Sequence, residues 1–369
     1  MIRSSLESRI HILHRPTPED AIGSRKWLKA AVVLTAVTLA LGALALWRWR
    51  NSPFQWRLFW SAFIDLDWRW LAGAIALLLF TYFGRVLRWE VMLRPIKPNP
   101  SLWRLTSATV IGFTAVVLLG RPGELVRPYL IAIKEGVPFS SQMAAWILER
   151  ILDLLVVLLI FGYALARIPA NHLPLSAGLQ WTLSVGGYFV ATVSTVAVLL
   201  LLAMRNFSES SERRLLSALS FLPEGAYRRT QTTLRAFVQG MQATRNHGFL
   251  SLLLFYTALE WGAIVGGYYL LFQAFPSTAH LNLTAVVIFV GFVSFGSIVQ
   301  IPGIGGGVQV ASVVVLTELF GIPFEAAAGM ALLIWILTFV IIVPFGLGFA
   351  LHEGINWRSF RHIQEEVGL

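Results

Sequence analysis

Leu119-Gly120-Arg121-Pro122-Gly123-Glu124-Leu125-Val126-Arg127-Pro128 is the stretch that decides how this chain is built. It follows an apolar run, Leu102–Leu119, and breaks it with Gly and Pro where charges begin. Interrupted backbone cannot face lipid, because hydrocarbon satisfies no free N–H or C=O, so it must line protein or a wet cavity. The stretch therefore marks a polar pocket at depth or, in the plainer alternative, an interfacial turn with solvated charges. A second interruption favours the pocket: Leu283–Phe320 is broken by Ile301-Pro302-Gly303-Ile304-Gly305-Gly306-Gly307. After each break comes the same punctuation and then a long apolar helix, Gly136-Val137-Pro138-Phe139 in the first half and Gly321-Ile322-Pro323-Phe324 in the second. Paired interrupted segments of this kind point to the binding site of transporters built from inverted repeats.

The rest of the chain supplies a membrane around these breaks. Of 369 residues 56% are hydrophobic and 13% charged, against roughly 25% charged in soluble domains. Apolar segments near Ala30–Trp47, Trp68–Trp89, Phe139–Ala166, Gln180–Met204, Phe249–Phe272 and Phe324–Leu351 are each long enough to span, since about 20 apolar residues cross the hydrocarbon core. The expectation is an all-α polytopic membrane protein with about six full transmembrane helices plus two opposed re-entrant hairpins. Residues 1–29 form a basic lead, 30–351 the transmembrane domain and 352–369 a tail. The lead is too long for the short n-region of a cleavable signal peptide.

Charge placement sets the orientation. With both broken runs re-entrant, the basic lead, the Arg85–Arg104 region, the polar stretch 205–247 and the tail all fall on the cytoplasmic side of a bacterial inner membrane, as the positive-inside tendency requires. The segment Arg48–Arg69 is the exception, partly offset by Asp65 and Asp67. Within 205–247, Glu212–Phe221 and Thr230–Met241 read as amphipathic pieces that either lie on the membrane surface or cap the bundle.

Candidate headgroup ligands gather at the breaks. Arg121 and Arg127 suit a phosphate, which the planar guanidinium fork binds well. Glu124 can hold one of them between substrates or meet a cationic headgroup. In the second half, Gln300 and Gln309 flank the break, and Gly303, Gly305 and Gly306 can turn backbone N–H groups toward an anion. Close helix packing is the plainer use of such glycines. A second constellation lies inside the bundle: Glu149-Arg150-x-x-Asp153 sits about ten residues into its helix, where residues three or four apart share a face. A charge at such depth costs roughly 2.5–3.5 kcal/mol unless paired or wetted. Arg150 is the expected neighbour of Asp153, and the cluster serves substrate, structure or both. Glu260 stands alone in a long uncharged stretch, either as an intramembrane carboxyl or as a solvated residue near the cytoplasmic end.

Several chemistries are excluded or unsupported. The composition rules out a soluble enzyme, a porin and a disordered tail. Without cysteine there is no disulfide, thiol nucleophile or Cys-ligated metal. The His residues are dispersed, no Gly-x-Ser-x-Gly elbow appears, and no Lys-Ser/Thr follows the glycine run as a phosphate loop requires. Glu149 and Asp153 share one helix face, whereas a glycosidase needs its carboxyls across a sugar. No catalytic residue, metal, cofactor or nucleic-acid partner is expected. The net charge of +10 is read as orientation.

At Gly120-Arg121-Pro122-Gly123-Glu124-x-x-Arg127-Pro128, Glu149-Arg150-x-x-Asp153-Leu154 and Pro302-Gly303-Ile304-Gly305-Gly306, the chain resembles the lysylphosphatidylglycerol synthase transmembrane-region family, also described as flippase-like. The resemblance runs from about residue 30 to 350. It implies movement of a phospholipid or polyprenyl-type lipid between leaflets. Full synthases carry a soluble aminoacyl-transferase domain after the membrane region; no such domain is expected by Leu369, so lipid aminoacylation is not expected. The alternatives from other classes are an intramembrane transferase with a lipid-linked donor, its base Glu124, Glu149 or Asp153, and a scaffold for envelope-lipid biosynthesis enzymes.

Overall fold

Polar caps and helix breakers cut the apolar sequence into rods. A computed structural model describes residues 54–167, 192–202, 216–218, 223–240, 246–297, 300–301 and 305–354. Contacts divide the chain into a unit Met1–Trp56 and a unit Arg57–Leu369, and the second holds everything discussed below. The helices are α1 Trp56–Ile64, α2 Trp68–Leu93, α3 Leu102–Leu119, α4 Val126–Glu135, α5 Phe139–Arg167, α6 Thr192–Leu202, α7 Glu224–Gly240, α8 His247–Ala274, α9 Leu283–Gly296, α10 Gly307–Val314, α11 Phe324–Trp335 and α12 Val343–His352. Asp67, Asn246 and Asn282 cap α2, α8 and α9, each accepting backbone N–H bonds that the first turn cannot satisfy internally. A π-helical turn at Ile336–Val340 joins α11 to α12, and Phe324–His352 together make one rod. Four rods are long and apolar enough to cross a membrane: α2, α3, α8 and Phe324–His352. The protein is a helical membrane protein, and the expected helical architecture needs one amendment among the described residues. Gln300–Ile301 (β1) and Gly305–Gly306 (β2) pair as a two-residue antiparallel ladder.

Two helical hairpins organise the bundle. The α2 and α8 rods run antiparallel, tied where Asp67 N–H donates to the Ala274 carbonyl at 3.0 Å; we call this the near end. α3 starts from the far end, stops at Gly120, whose φ of 73° only glycine adopts easily, and passes through a 3₁₀ turn, Arg121–Leu125. α4 then returns along it. Lys134, at the close of α4, donates to Ser107 Oγ at 2.7 Å, and the Arg104 guanidinium donates to the Lys134 carbonyl at 3.0 Å. Both ends of this hairpin therefore lie at the far end. The second hairpin, α9–ladder–α10, starts from the near end, where the Gln273 side chain reaches the Leu281 carbonyl at 3.5 Å. The tips meet: Arg121 Nη2 donates to the Ser297 carbonyl at 3.0 Å.

The repeated Gly-[Val/Ile]-Pro-Phe has one structural job in both halves. Gly136 and Gly321 end their helices at φ 67° and 66°, Val137 and Ile322 close the caps onto Ala132 and Leu316, and Phe139 and Phe324 begin the next rods. Each next rod packs on the other hairpin. Gly291 of α9 lies against Phe161 of α5, and Gly346 of α12 against Thr114 of α3, where an added Cβ would come 1.9 Å from Oγ1 and 2.9 Å from the Val110 carbonyl. Gly346→Ala is therefore expected to push α12 off α3 and cost about 1–3 kcal/mol. Gly348→Ala, with open space around it, should melt like the parent in detergent; equal melting of both variants would refute the packing argument.

The described part of the polar stretch packs on the bundle. α7 starts earlier than the expected Thr230, and Leu234, Phe237 and Val238 pack on Ala144 of α5. An alanine Cβ at Gly240 would sit 2.3 Å from the Ser141 carbonyl. The described part of this stretch thus docks on the far end of the bundle. The span Ala30–Trp47, most of Glu212–Phe221, residues 1–29 and the tail beyond Gly354 lie outside the described residues.

Candidate functional site

Helical periodicity on three rods aims a set of charges at one point. α2 contributes Arg85 and Arg88, three apart on one face; α5 contributes Glu149, Arg150 and Asp153; α8 contributes Glu260. Arg88 is fully buried, and its Nη1 reaches Asp153 at 2.6 Å and Glu260 at 2.8 Å while Nη2 donates to the Glu149 carbonyl at 3.3 Å. Arg85 Nε lies 2.9 Å from Glu260. Trp261 Nε1 donates to Asp153 at 3.4 Å. Isolated buried charges are prohibitively costly, and reciprocal pairing is what lets these sit between apolar rods.

The first hairpin plugs into this network. Arg127, in the first turn of α4 and only 4% exposed, pairs with Glu149 through Nη2. Its guanidinium stacks 4.2 Å from the Trp89 ring centroid and 5.2 Å from that of Phe113, a cation–π arrangement reserved in strength for dry sites. Gly112 on α3 makes room for it, since a Cβ there would be 2.5 Å from Arg127 Cβ. Arg127 Nη1 is buried with no hydrogen-bond partner. Arg150, 38% exposed, bridges Glu149 at 2.9 Å and Asp153 at 3.3 Å. At the tip, Arg121 pairs with Glu124 at 2.6 Å.

Part of this set borders a cavity of about 260 Å³ where the hairpin tips meet, whereas Arg88, Glu149, Asp153 and Glu260 are not among its lining residues. Its lining includes the charged Arg85, Arg121, Glu124, Arg127 and Arg150 and the apolar Val290 and Val293 of α9, Val308 of α10 and Ile264 of α8, together with Tyr82, Trp146, Tyr268 and Ser294. The cavity thus has both charged and apolar lining.

The structure thus brings Arg121, Glu124, Arg127, Glu149, Arg150, Asp153 and Glu260 together, and treats the second break differently. Gln309 Oε1 accepts the Gly306 N–H at 2.6 Å, and Gly305 and Gly306 pair with Ile301 and Gln300. Their backbone groups are thereby engaged in shaping the tip; Gly303 and the Gln300 side chain fall outside the described residues. Of the two readings of Glu260 the buried one holds, at 1% exposed. Arg150 does neighbour Asp153, at 3.3 Å, and Arg88 reaches the same carboxylate at 2.6 Å. Arg85 and Arg88, grouped in the sequence with the charges that follow the second span, lie within α2 and join the cluster, a role that the sequence reading missed. The signal was present, because both lie inside the apolar run Trp68–Leu93, the same cue that singled out Glu149 and Asp153.

A helical membrane bundle with two opposed hairpins and an arginine-lined cavity at their tips is the class of protein this geometry defines. The chain belongs to the family described as the lysylphosphatidylglycerol synthase TM region, which matches residues 33–346. It is also similar to the glycosyltransferase AglD of Haloferax volcanii, 27% identical over 156 residues, which are 42% of this chain. The match spans only 24% of that protein's length. No solved structure matches the chain.

Proposed function

We propose that the protein is a membrane lipid transporter that moves a phospholipid or polyprenyl-type lipid between leaflets without altering it covalently. The observation that carries this reading is the cavity itself, lined by both charged and apolar side chains and lying where two opposed hairpins touch tip to tip. A lipid headgroup entering there exchanges water for guanidinium donors, while its chain meets the valines of α9 and α10. Because the hairpins open at opposite ends, a small rearrangement at either tip exposes the cavity to one side or the other, the logic of alternating access in repeat-built transporters. In this reading the hairpins are re-entrant, about six other helices span fully, and both termini face the cytoplasm of the bacterial inner membrane. The far end, with Arg94, Lys97, Arg104, Lys134, Arg228 and Arg235, agrees with the positive-inside tendency. Envelope-lipid biosynthesis enzymes are natural partners, as suppliers or consumers of the lipid.

A second reading is favoured by one observation, the name of the archaeal glycosyltransferase relative. An intramembrane transferase would use a lipid-linked donor, with the cavity carboxylate Glu124 as base. The two readings separate in proteoliposomes. Transport predicts fluorescent-lipid exchange between leaflets with the lipid recovered at unchanged mass; transfer predicts a mass change with a donor present. Neither exchange nor mass change would leave the scaffold role. Orientation is tested with single cysteines, introduced cleanly because the chain has none. Labelling of a cysteine at position 225 from outside intact cells would overturn the assigned topology.

A further inference from the structure

Resting on the transporter reading, we propose that the cavity selects a headgroup bearing one negative charge, a phosphodiester, and that Glu124 is the residue that sets this charge preference. Among the described residues, Arg85, Arg88, Arg127 and Arg150 are joined in one network to Glu149, Asp153 and Glu260, and Arg121 pairs with Glu124 at the same cavity, which together leaves a single positive charge in excess. The excess is placed toward the cavity. Four arginines and Glu124 border it, whereas Arg88 and the other three carboxylates stand behind. Arg127, which lines the cavity, also keeps a buried Nη1 without a hydrogen-bond partner.

Between apolar rods an unmatched charge is more costly than in water. A zwitterionic headgroup would leave the excess in place, and one with two or more negative charges would reverse it. A phosphodiester cancels it and offers two non-bridging oxygens to the guanidinium forks. Glu124 decides the count because it is the lone carboxylate on the cavity wall among the described residues and holds Arg121 at 2.6 Å. Removing its charge raises the excess to two.

The test is retention of lipid by the whole protein from mixed micelles of phosphatidylglycerol, phosphatidylcholine and a prenyl diphosphate, read by native mass spectrometry. The parent should retain phosphatidylglycerol at least about tenfold over phosphatidylcholine, the scale of one charge-assisted hydrogen bond, and over the diphosphate. Glu124→Gln should reverse the order of phosphatidylglycerol and diphosphate. Arg150→Gln, which removes the excess, should erase the preference for phosphatidylglycerol over phosphatidylcholine, and it serves if Glu124→Gln folds poorly. Dimethyl phosphate and inorganic diphosphate separate the sources: displacement of lipid by millimolar dimethyl phosphate would assign the site to a free anion and overturn the lipid part. Unchanged ranking in both variants would overturn the charge match. Charge-ranked retention without leaflet exchange would instead defeat the transporter reading and leave the charge match standing.

Discussion

Arg127→Ala should abolish leaflet exchange in proteoliposomes and lower the melting temperature in detergent. Both effects follow from its position. The guanidinium holds Glu149, which is fully buried, and it fills the space between Trp89 and Phe113. Truncation leaves Glu149 with Arg150 alone, and breaking a buried pair costs about 3–5 kcal/mol at the upper end. Loss of a charge-assisted donor toward the headgroup is worth roughly 1.5–3 kcal/mol, or about 10- to 150-fold in binding. The double variant Arg127→Ala, Glu149→Gln separates the contributions, since it removes the orphaned carboxylate: melting should recover while exchange stays absent. Arg127→Lys should rescue poorly, because a point charge cannot reach the carboxylate, stack on both rings and present a second donor together. Normal exchange by Arg127→Ala would end the phosphate-binding reading.

The largest loss of stability is expected for Arg88→Met. This side chain is wholly enclosed and touches Asp153, Glu260 and the Glu149 carbonyl, so its removal leaves two carboxylates short of a partner in one place. About 3–5 kcal/mol for a broken buried pair is a floor when two are broken, and the single variant should be recovered in low yield. Adding Glu260→Gln restores the net charge and should recover part of the melting temperature; Asp153 keeps Arg150 at 3.3 Å and the Trp261 indole. Exchange measured on that recovered protein then reports whether Arg88 acts beyond holding the bundle. An Arg88→Met protein as stable as the parent would show that the network stabilises nothing.

If the protein transports lipid as proposed, stability and transport draw on the same residues. Glu149 receives Arg127 from the first hairpin and Arg150 from its own helix, so any motion of the hairpin would be linked to occupancy of the cavity through one carboxylate. Likewise Arg121 joins the two tips while pairing with Glu124. A headgroup that draws either arginine away loosens a contact between moving parts, which is the coupling a transporter needs.

The sequence by itself determined that the chain is a helical membrane protein, where its rods break, and that the charged groups of α5 face the bundle interior; the burial of Glu260 on α8 was left to the structure. Hydropathy does this because lipid leaves an apolar run few alternatives to a helix, and Gly and Pro reveal where the helix stops. The repeated Gly-[Val/Ile]-Pro-Phe was legible for the same reason, since a left-handed glycine followed by proline acts locally. Tertiary structure alone decided the partners. Arg85 and Arg88 lie 61 or more residues from Glu149, Asp153 and Glu260 in sequence, and nothing local distinguishes an arginine facing a buried carboxylate from one at a helix end. The same holds for the tips. The glycine run could expose an anion nest or close on itself, and only the placement of Gln309 beneath Gly306 shows its backbone engaged. Pairing of buried charges is a property of how rods pack, and packing is set by contacts between segments that the chain's own order keeps far apart.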